Sequence, residues 1–281
     1  MKPAPFAYHR PRSLTEALET LAGEPGAKVL AGGQSLVPLL SMRLAAPESL
    51  VDLNAVPGLD HVAVTDDRVR VGALARHADV LAHEGASRSQ PLLAMALSHV
   101  AHATIRNRGT TVGSIVHADA AAEMPVVLAL LGGSVEVASV RGTRGIAAAD
   151  LFAGPLESTL AHDEIATEAH FPALRPGEGV GFAEIARRHG DYALVGVAGL
   201  VRIDAGQVVE ARLGFLSVND VPTVVDVSGL TPDDALDHVL TELEPAADIH
   251  ATAAYRAQLV RVLTRRVLAE ATDHARGRVD A

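Results

Sequence analysis

The sequence predicts an α+β fold, in which an α/β first part precedes an antiparallel sheet with helices. Three observations lead to this prediction. Strand-like and helix-like apolar patterns alternate around a glycine pair in the first fifty-odd residues. Regular alternation over residues 194–203 and 208–218 is typical of long antiparallel strands. Residues 175–179, between these regions, have the composition of a linker, so the predicted domains are residues 1–175 and 176–281.

The first subdomain, residues 1–55, is predicted from helix and strand signals around two glycines. Ser13 and Glu16 have the spacing of a capping box, and apolar residues at helical spacing follow them. A glycine- and proline-containing turn ends this helix. The next elements follow from apolar runs and helical periodicity: a strand over 28–31, a helix over 36–44 and a strand over 50–53.

The second subdomain, about residues 56–175, is predicted to begin with a hairpin, because two valine-rich runs flank Asp66 and Asp67. Residues 105–119 are unusually polar and are predicted to be irregular. The other elements are apolar runs: strands at 62–64, 69–71, 135–137 and 145–146, and helices over 75–83, 91–101 and 121–131. In the C-terminal domain, a turn at 204–206 separates the two long strands, and two helices follow residue 231, the last over 252–274.

Composition excludes several classes of function. The 281 residues are 48% apolar but only 3% aromatic, so aliphatic side chains must fill the core. The net charge of −10, with no long basic run, argues against general nucleic-acid binding. The absence of cysteine excludes disulfides, thiolate nucleophiles and cysteine-bound iron–sulfur clusters in this chain. Without a long apolar segment or signal sequence, a cytoplasmic protein with no membrane insertion is expected.

The first candidate ligand-binding loop consists of Ala31, Gly32, Gly33, Gln34 and Ser35. A strand that ends in two glycines and leads into a helix can present unpaired backbone N–H groups to an anion. The hydroxyl of the serine and the amide of the glutamine can add to this site. Considered alone, the stretch is better interpreted as an ordinary strand-to-helix turn.

The second candidate loop consists of Thr110, Thr111, Val112, Gly113 and Ser114. Consecutive N–H groups in such a stretch can form a nest for a pyrophosphate, so two loops of this kind can hold a dinucleotide. A surface loop whose hydroxyls cap the following helix is an equally good interpretation of this stretch alone. No Gly-x-Gly-x-x-Gly fingerprint and no P-loop motif is present, which argues against the Rossmann and P-loop folds.

Both loops, in this order and at this separation, resemble the FAD-binding medium subunit of the molybdenum hydroxylases, the family of the carbon monoxide dehydrogenase flavoprotein and the xanthine dehydrogenase flavin domain. The family motif Ala-Gly-Gly-His/Gln-Ser-Leu is matched at residues 31–36. The motif Arg-x-Arg-Gly-Thr-Ile-Gly-Gly-Ser-Leu-Ala-His-Ala-Asp-Pro-Ala-Ala-Glu is matched at 106–123, and Arg-Arg-x-Gly-Asp-Phe/Tyr-Ala-Leu-Val at 187–195. The resemblance covers nearly the whole chain. It implies the two-subdomain FAD-binding fold of the vanillyl-alcohol-oxidase/PCMH type, followed by a C-terminal antiparallel sheet with helices.

The resemblance also implies FAD as the cofactor and identifies residues that would contact it. The two loops would wrap the pyrophosphate and the ribityl chain. Glu123 matches an acidic position that contacts the cofactor, Tyr192 matches an aromatic residue close to the isoalloxazine ring, and Asp119 is expected to shape the flavin loop. Two residues depart from the family pattern: Val112 replaces a glycine of many relatives, and Glu184 replaces a lysine of some.

The function implied by the resemblance is electron transfer without a catalytic residue or a metal in this chain. Electrons would arrive from the [2Fe–2S] clusters of a small subunit, after substrate oxidation at a molybdenum cofactor in a large subunit, and leave for an external acceptor. A dimer of heterotrimers is expected. Two alternatives stay open: a stand-alone FAD-dependent oxidase or dehydrogenase of the same FAD-binding fold, and a flavin-less structural subunit, for which Val112 is the only indication.

Two other groups of polar residues have simpler interpretations. His99 and His102 are three residues apart and can share a helix face, but no third ligand stands at a suitable offset, so no metal site is predicted. His117 and Asp119 have the spacing of an acid–base pair. The resemblance favours a role for both in the flavin loop, and the alternative is that Asp119 caps the following helix.

Overall fold

The computed structural model describes residues 2–279, which form an α+β fold of three main sheets and a small two-stranded one. The helices and strands, numbered in chain order, are β1 (Ala7–His9), α1 (Leu14–Gly23), β2 (Ala27–Leu30), α2 (Leu36–Met42), β3 (Ser49–Asp52), β4 (Val62–Val64), β5 (Arg68–Gly72), α3 (His77–Ala82), α4 (Glu84–Ser89), α5 (Pro91–Leu97), α6 (Ala103–Arg106), α7 (Thr111–His117), α8 (Glu123–Leu131), β6 (Ser134–Ser139), β7 (Gly142–Ala147), β8 (Phe152–Gly154), β9 (Glu157–Ser158), β10 (Ile165–Pro172), β11 (Glu178–Ala186), β12 (Ala193–Asp204), β13 (Gln207–Leu216), β14 (Thr223–Asp226), α9 (Pro232–Glu242) and α10 (Ala253–Val279).

The first sheet is parallel, with β3 between β1 and β2. The predicted start of α1 is confirmed, because the Ser13 hydroxyl accepts the Glu16 amide at 3.1 Å. The chain leaves the carboxyl end of β2 at Leu30 and enters α2 through the first candidate loop. In α/β sheets the carboxyl ends of parallel strands are the edge at which ligands bind, so this topology gives the loop a suitable position.

The second sheet is antiparallel, with the order β4-β5-β10-β6-β7, and α3 to α8 pack around it. The hairpin of β4 and β5 is confirmed. The central strand, β10, is absent from the sequence prediction because Thr167, Glu168 and His170 interrupt its apolar pattern. All three side chains are held by partners on neighbouring strands or on β10 itself.

The third sheet is antiparallel, with the order β11-β12-β13-β14. Its long central strands, β12 and β13, confirm the two alternating segments of the sequence and the turn between them. The last helix, α10, lies along β11 and β12, and α9 packs beside it. This arrangement agrees with the predicted C-terminal sheet covered by two helices.

The helix α8 lies between the second and third sheets and is apolar on nearly every side. All of its residues except Ala129 are buried. Its side chains share one continuous core with Phe171 of the second sheet and with Phe182 and Leu200 of the third. Because the N-terminal end of α8 carries Glu123, this packing holds an acidic side chain inside the molecule.

Residues 105–119 are not irregular, and that prediction is wrong. They contain the end of α6 and all of α7, because the hydroxyl of Thr110 accepts the Gly113 amide and caps a short helix. The helix predicted over residues 75–83 is present as α3, but the helix α4, which follows it directly, was not predicted. In the part of the chain that the structure describes, no helix has the length and apolar character needed to cross a membrane.

Candidate functional site

The two candidate loops, far apart in the sequence, touch each other in the structure. The Cα of Gly32 lies so close to the second loop that a Cβ there would clash with the carbonyl oxygen of Arg108. The same Cβ would lie 2.8 Å from the Cα of Gly109 and 3.0 Å from the nitrogen of Thr110. Only glycine permits this approach, so the two loops form one surface.

The backbone of the first loop presents unpaired donors. Gly33 has φ +73°, a left-handed conformation that turns the chain towards α2. Within residues 2–279, the N–H groups of Gly32, Gly33, Gln34 and Ser35 donate to no protein acceptor. The only side-chain bond within the loop runs from the Gln34 amide to the Gly32 carbonyl, at 3.2 Å. Residues 31–35, here called the cradle, therefore have the donor set of an anion site.

Arg76 and Asn54 brace the cradle against the second loop. The Asn54 amide donates to the Ala31 carbonyl at 2.8 Å, and Arg76 donates to the Asn54 side-chain oxygen at 2.6 Å. A second guanidinium nitrogen of Arg76 donates to the Arg108 carbonyl at 2.7 Å. Burial, and then the charge of Arg108, lower the pKa of Arg76, but an arginine stays charged at physiological pH. The brace therefore also places a cation beside the cradle.

The threonines of the second loop are used inside the protein. The hydroxyl of Thr110 caps α7, and the buried hydroxyl of Thr111 lies 3.1 Å from Nδ1 of His77. Burial, and then the charge of Arg106, lower the pKa of His77 to about 4, so this imidazole is neutral. Val112 is 2% exposed and packs in the core, so its side chain does not occupy the surface of the loop. Gly113 and Ser114 remain half-buried on that surface.

The pair of His117 and Asp119 does not act as a unit. No hydrogen bond joins the two side chains in the described part of the chain, and the Asp119 carboxylate instead accepts the Ala121 amide at 2.9 Å. The N-cap of α8 is Ala122, so the alternative in which Asp119 caps that helix is wrong. The carboxylate of Asp119 stabilises the turn between α7 and α8.

A second group of residues lies beyond the C-terminal end of α7, where α8 begins. Glu123, Glu184 and His99, here called the acidic cluster, belong to α8, β11 and the segment after α5. Burial, and then the charge of Glu184, raise the pKa of Glu123 to about 8. Nδ1 of His99 lies 3.4 Å from Oε1 of Glu184, and this contact raises the pKa of His99.

Tyr192 lies beside the acidic cluster in the loop between β11 and β12 and is 68% exposed. Burial of part of the side chain, and then the charges of Asp119 and Glu123, raise its pKa. The structure thus brings the predicted residues Asp119, Glu123 and Tyr192 together. It places them at one end of α7, and it places the cradle at the other.

Sequence reasoning missed Asn54, Arg76 and the pairing of His99 with Glu184. None of the four belongs to a glycine-rich motif, and each acts through a partner distant in the sequence. His99 does not pair with His102, which lies against Gly190 instead. Within residues 2–279, no group of three or more His, Asp or Glu side chains has the arrangement of a metal site.

Comparison with protein families identifies two matched regions. Residues 4–174 match the model of the FAD binding domain in molybdopterin dehydrogenase. Residues 181–271 match the model of the CO dehydrogenase flavoprotein C-terminal domain.

Individual relatives match over their whole length. The nicotine 6-hydroxylase medium subunit of Paenarthrobacter nicotinovorans is 41% identical, over 96% of this chain and 99% of the relative. The 6-hydroxypseudooxynicotine dehydrogenase complex subunit alpha of the same organism is 40% identical, over 98% and 97%. Among solved structures, quinoline 2-oxidoreductase from Pseudomonas putida 86 contains a chain with TM-score 0.91 and 35% identity, covering 99% of this chain and 100% of that one. The predicted fold class is confirmed.

Proposed function

Because the chain belongs to the FAD-binding medium subunits of the molybdenum hydroxylases, we propose that it transfers electrons between a partner subunit and an external acceptor. The chain is an oxidoreductase subunit whose cofactor is FAD. In this proposal, electrons reach it from the [2Fe–2S] clusters of a small subunit. They originate from substrate oxidised at the molybdenum cofactor of a large subunit.

The observation that carries the proposal is the cradle with its four unpaired N–H groups. We assign the FAD pyrophosphate to these donors and to the nearby cation of Arg76, and the ribityl chain to the surface of Gly113 and Ser114. We assign the isoalloxazine ring to the other end of α7, beside Glu123 and Tyr192. When bound, the flavin supplies the capacity to accept electrons in pairs and to release them to a different acceptor.

The partners proposed here follow from the same chain. It has no cysteine with which to hold an iron–sulfur cluster, so in this proposal the [2Fe–2S] clusters belong to another subunit. Two relatives are named as a medium subunit and as a subunit of a complex, which supports an assembly of several chains. We propose a dimer of heterotrimers in which this chain binds a large molybdenum-cofactor subunit and a small [2Fe–2S] subunit.

The substrate class of the complex is proposed from the relatives alone. Nicotine and quinoline, which appear in their names, are nitrogen heteroaromatic compounds. We propose that the complex containing this chain oxidises a compound of that class. The residues that select it belong to the large subunit, in agreement with the electron-transfer role of this one.

The proposal is tested by flavin retention. The purified chain is incubated with FAD and desalted, and its visible absorbance is recorded before reduction, after reduction and after exposure to quinone or NAD. We expect a retained flavin band that is reduced and reoxidised. Gly33→Val should remove the band, because a branched residue is strained at this left-handed φ and its Cβ would lie 3.2 Å from the side chains of Leu30 and Val37, so that the backbone of the cradle must shift.

The matched control is Gly229→Val, which introduces the same residue at φ +74° in an open position between β14 and α9. It should keep the flavin band. Equal flavin content in both variants and the native chain would contradict the assignment of the pyrophosphate to the cradle. A native chain that retains no flavin, alone or with its partner subunits, would contradict the proposed function.

A further inference from the structure

The Asp52 carboxylate lies at the end of the central strand of the first sheet, beside the start of the cradle. It belongs to the last residue of β3 and is 7% exposed. In the register of β2 and β3, Asp52 is paired with Leu30, the residue directly before the cradle. Within residues 2–279 its hydrogen-bond donors are all neutral: the Tyr8 hydroxyl and the backbone and side-chain amides of Asn54.

These hydrogen bonds leave the Asn54 side chain with one orientation. Oδ1 of Asp52 accepts the Asn54 backbone N–H at 2.9 Å and one hydrogen of its side-chain NH2 group, while Oδ2 accepts the Tyr8 hydroxyl. Burial opposes ionisation of Asp52, but the hydrogen bonds from Tyr8 and Asn54 outweigh it and lower its pKa, so this group only accepts. A flipped Asn54 amide would place its oxygen against the carboxylate and its NH2 group against the donors of Arg76.

The fixed Asn54 amide determines which way the first peptide unit of the cradle faces. The other hydrogen of its NH2 group is donated to the Ala31 carbonyl at 2.8 Å. The peptide bond between Ala31 and Gly32 is trans, so its C=O and N–H groups point in opposite directions. Because the carbonyl points to Asn54, the Gly32 N–H points to the other side, where it donates to no acceptor within residues 2–279.

Two further carbonyls of the cradle are held by bonds that are local in the sequence. The Gln34 side chain donates to the Gly32 carbonyl at 3.2 Å, and the Val37 N–H donates to the Gly33 carbonyl at 3.0 Å. The Ala31 carbonyl differs, since its donor stands 23 residues away and is itself held by β3. The direction of the Gly32 N–H is therefore set from outside the cradle.

We propose that Asp52 is a positioning residue of the flavin site, which acts through Asn54 to turn the Gly32 N–H towards the FAD pyrophosphate. The proposal rests on the assignment of the pyrophosphate to the cradle in the function proposed above. Two effects of Asp52 oppose each other. Its negative charge disfavours an anion nearby, whereas the donor that it fixes favours one. If positioning dominates, removal of Asp52 weakens FAD binding, and if charge dominates, removal strengthens it.

The test measures the Kd for FAD by titration of the apo-chain, followed by flavin fluorescence. We expect Asp52→Ala to raise the Kd about tenfold, as for the loss of one hydrogen bond to a charged group. Asp52→Asn should lie closer to the native chain, because its amide oxygen can still accept from Asn54 while the Tyr8 hydroxyl turns to accept.

The matched control is Asp226→Ala. Asp226 is likewise the last residue of a strand, β14, and its side chain likewise accepts the N–H two residues on, that of Ser228, at 2.8 Å. The same local turn is lost in both variants, but Asp226 has no contact with Asn54 or the cradle. Asp226→Ala should keep the native Kd.

A double-mutant cycle separates positioning from a general structural role. Asn54→Ala should raise the Kd at least as much as Asp52→Ala, since it also removes the bond to Arg76. If Asp52 acts through Asn54, the double variant should bind FAD no more weakly than Asn54→Ala alone. A structural role of Asp52 that does not involve Asn54 would instead add to the effect.

Three results would overturn the proposal: unchanged or tighter binding in Asp52→Ala, additive effects in the double variant, or native affinity in Asn54→Ala. The last result is decisive even if Asp52→Ala does not fold, because Asn54 is at an exposed position. Each of them requires a native chain that binds FAD. A native chain without FAD affinity would contradict the proposed function instead, so the two failures are distinguishable.

Discussion

Arg76 is the side chain that couples the two loops of the proposed flavin site most directly. It donates both to the side chain that holds the Ala31 carbonyl and to the carbonyl of Arg108. Hydrogen bonds from a charged donor contribute about 1.5–3 kcal/mol each. We therefore expect Arg76→Gln to raise the Kd for FAD about 10- to 100-fold, since each 1.4 kcal/mol changes affinity tenfold. Titration of the apo-chain with FAD, followed by flavin fluorescence, measures this effect.

Two further variants separate the charge of Arg76 from its geometry. Arg76→Lys keeps the cation but cannot reach both acceptors as a planar fork does, so its Kd should lie between those of the native chain and Arg76→Gln. Arg68→Gln is the control, because Arg68 pairs only with its exposed neighbour Asp67 and should leave the Kd unchanged. Native affinity in Arg76→Gln would show that the brace is not needed to form the site.

Individual residues can be identified from the sequence when their role depends on residues next to them in the chain. The glycines of the cradle stand directly between a strand and a helix, so their position could be predicted from their neighbours in the sequence. The cap that Thr110 forms on α7 is equally local, but it was not predicted, because residues 105–119 were expected to be irregular. Arg76 could not be identified in this way, since its acceptors lie 22 and 32 residues away. The pairing of His99 with Glu184 joins two halves of the chain and has no local pattern either.

Among the elements, α10 packs on the third sheet through a buried apolar face, and one buried arginine adds hydrogen bonds to this attachment. Arg256, 6% exposed, donates to the Leu194 carbonyl, to the Ser217 carbonyl at 3.1 Å and to Asp248 at 2.6 Å. We expect Arg256→Ala to lower the free energy of unfolding by about 2–4 kcal/mol, because each buried carbonyl left without a donor costs about 1–3 kcal/mol. Urea denaturation followed by circular dichroism tests this.

The control for that prediction lies on the same helix. Arg265 pairs with Asp233 at 2.7 Å, but both side chains are largely exposed. Exposed pairs contribute at most about 1 kcal/mol, so Arg265→Ala should shift the urea midpoint only slightly. Equal stability of the two variants would show that the hydrogen bonds of Arg256 add nothing to the apolar packing of α10.

Elements were predictable where their apolar pattern is uninterrupted. The strands β12 and β13 and the helix α8 are of this kind, and they occur where the sequence places them. β10 is the counterexample, because a strand buried on both faces normally reads as an apolar run, whereas this one contains Glu168 at its centre. Partners that no local pattern identifies make its burial possible: Arg70 of β5, 98 residues away, donates to that carboxylate, and His61 and His170 contact it as well.

The stability of the whole molecule should respond to acid through Glu168. Burial opposes ionisation of this carboxyl, but hydrogen bonds from Arg70, His61 and His170 outweigh it and lower its pKa from 4.5 to about 2. Between these values the unfolded chain binds a proton that the folded chain does not, so stability decreases as the pH falls through this range. Denaturation midpoints measured above and below pH 4.5 should show this loss.

Glu168→Gln tests whether this carboxyl group causes the loss of stability at low pH. The variant should be less stable near neutral pH, because Arg70, His61 and His170 lose their charged partner, and it should lose less stability on acidification. Glu19→Gln, at an exposed position of α1, should follow the native pH profile. An unchanged profile in Glu168→Gln would mean that other carboxyl groups dominate acid unfolding.

The apolar helix α8 has a consequence for how members of this family can exchange segments during evolution. The two family models meet between residues 174 and 181, which suggests that the chain consists of separable modules. The core does not divide there, because Val126 and Leu130 of α8 pack directly against Gly214 of the third sheet. Recombination near residue 175 would therefore join an α8 and a sheet that have not been selected together. Viable chimeras should come from parents that share these facing residues, even where the rest of their sequences differ.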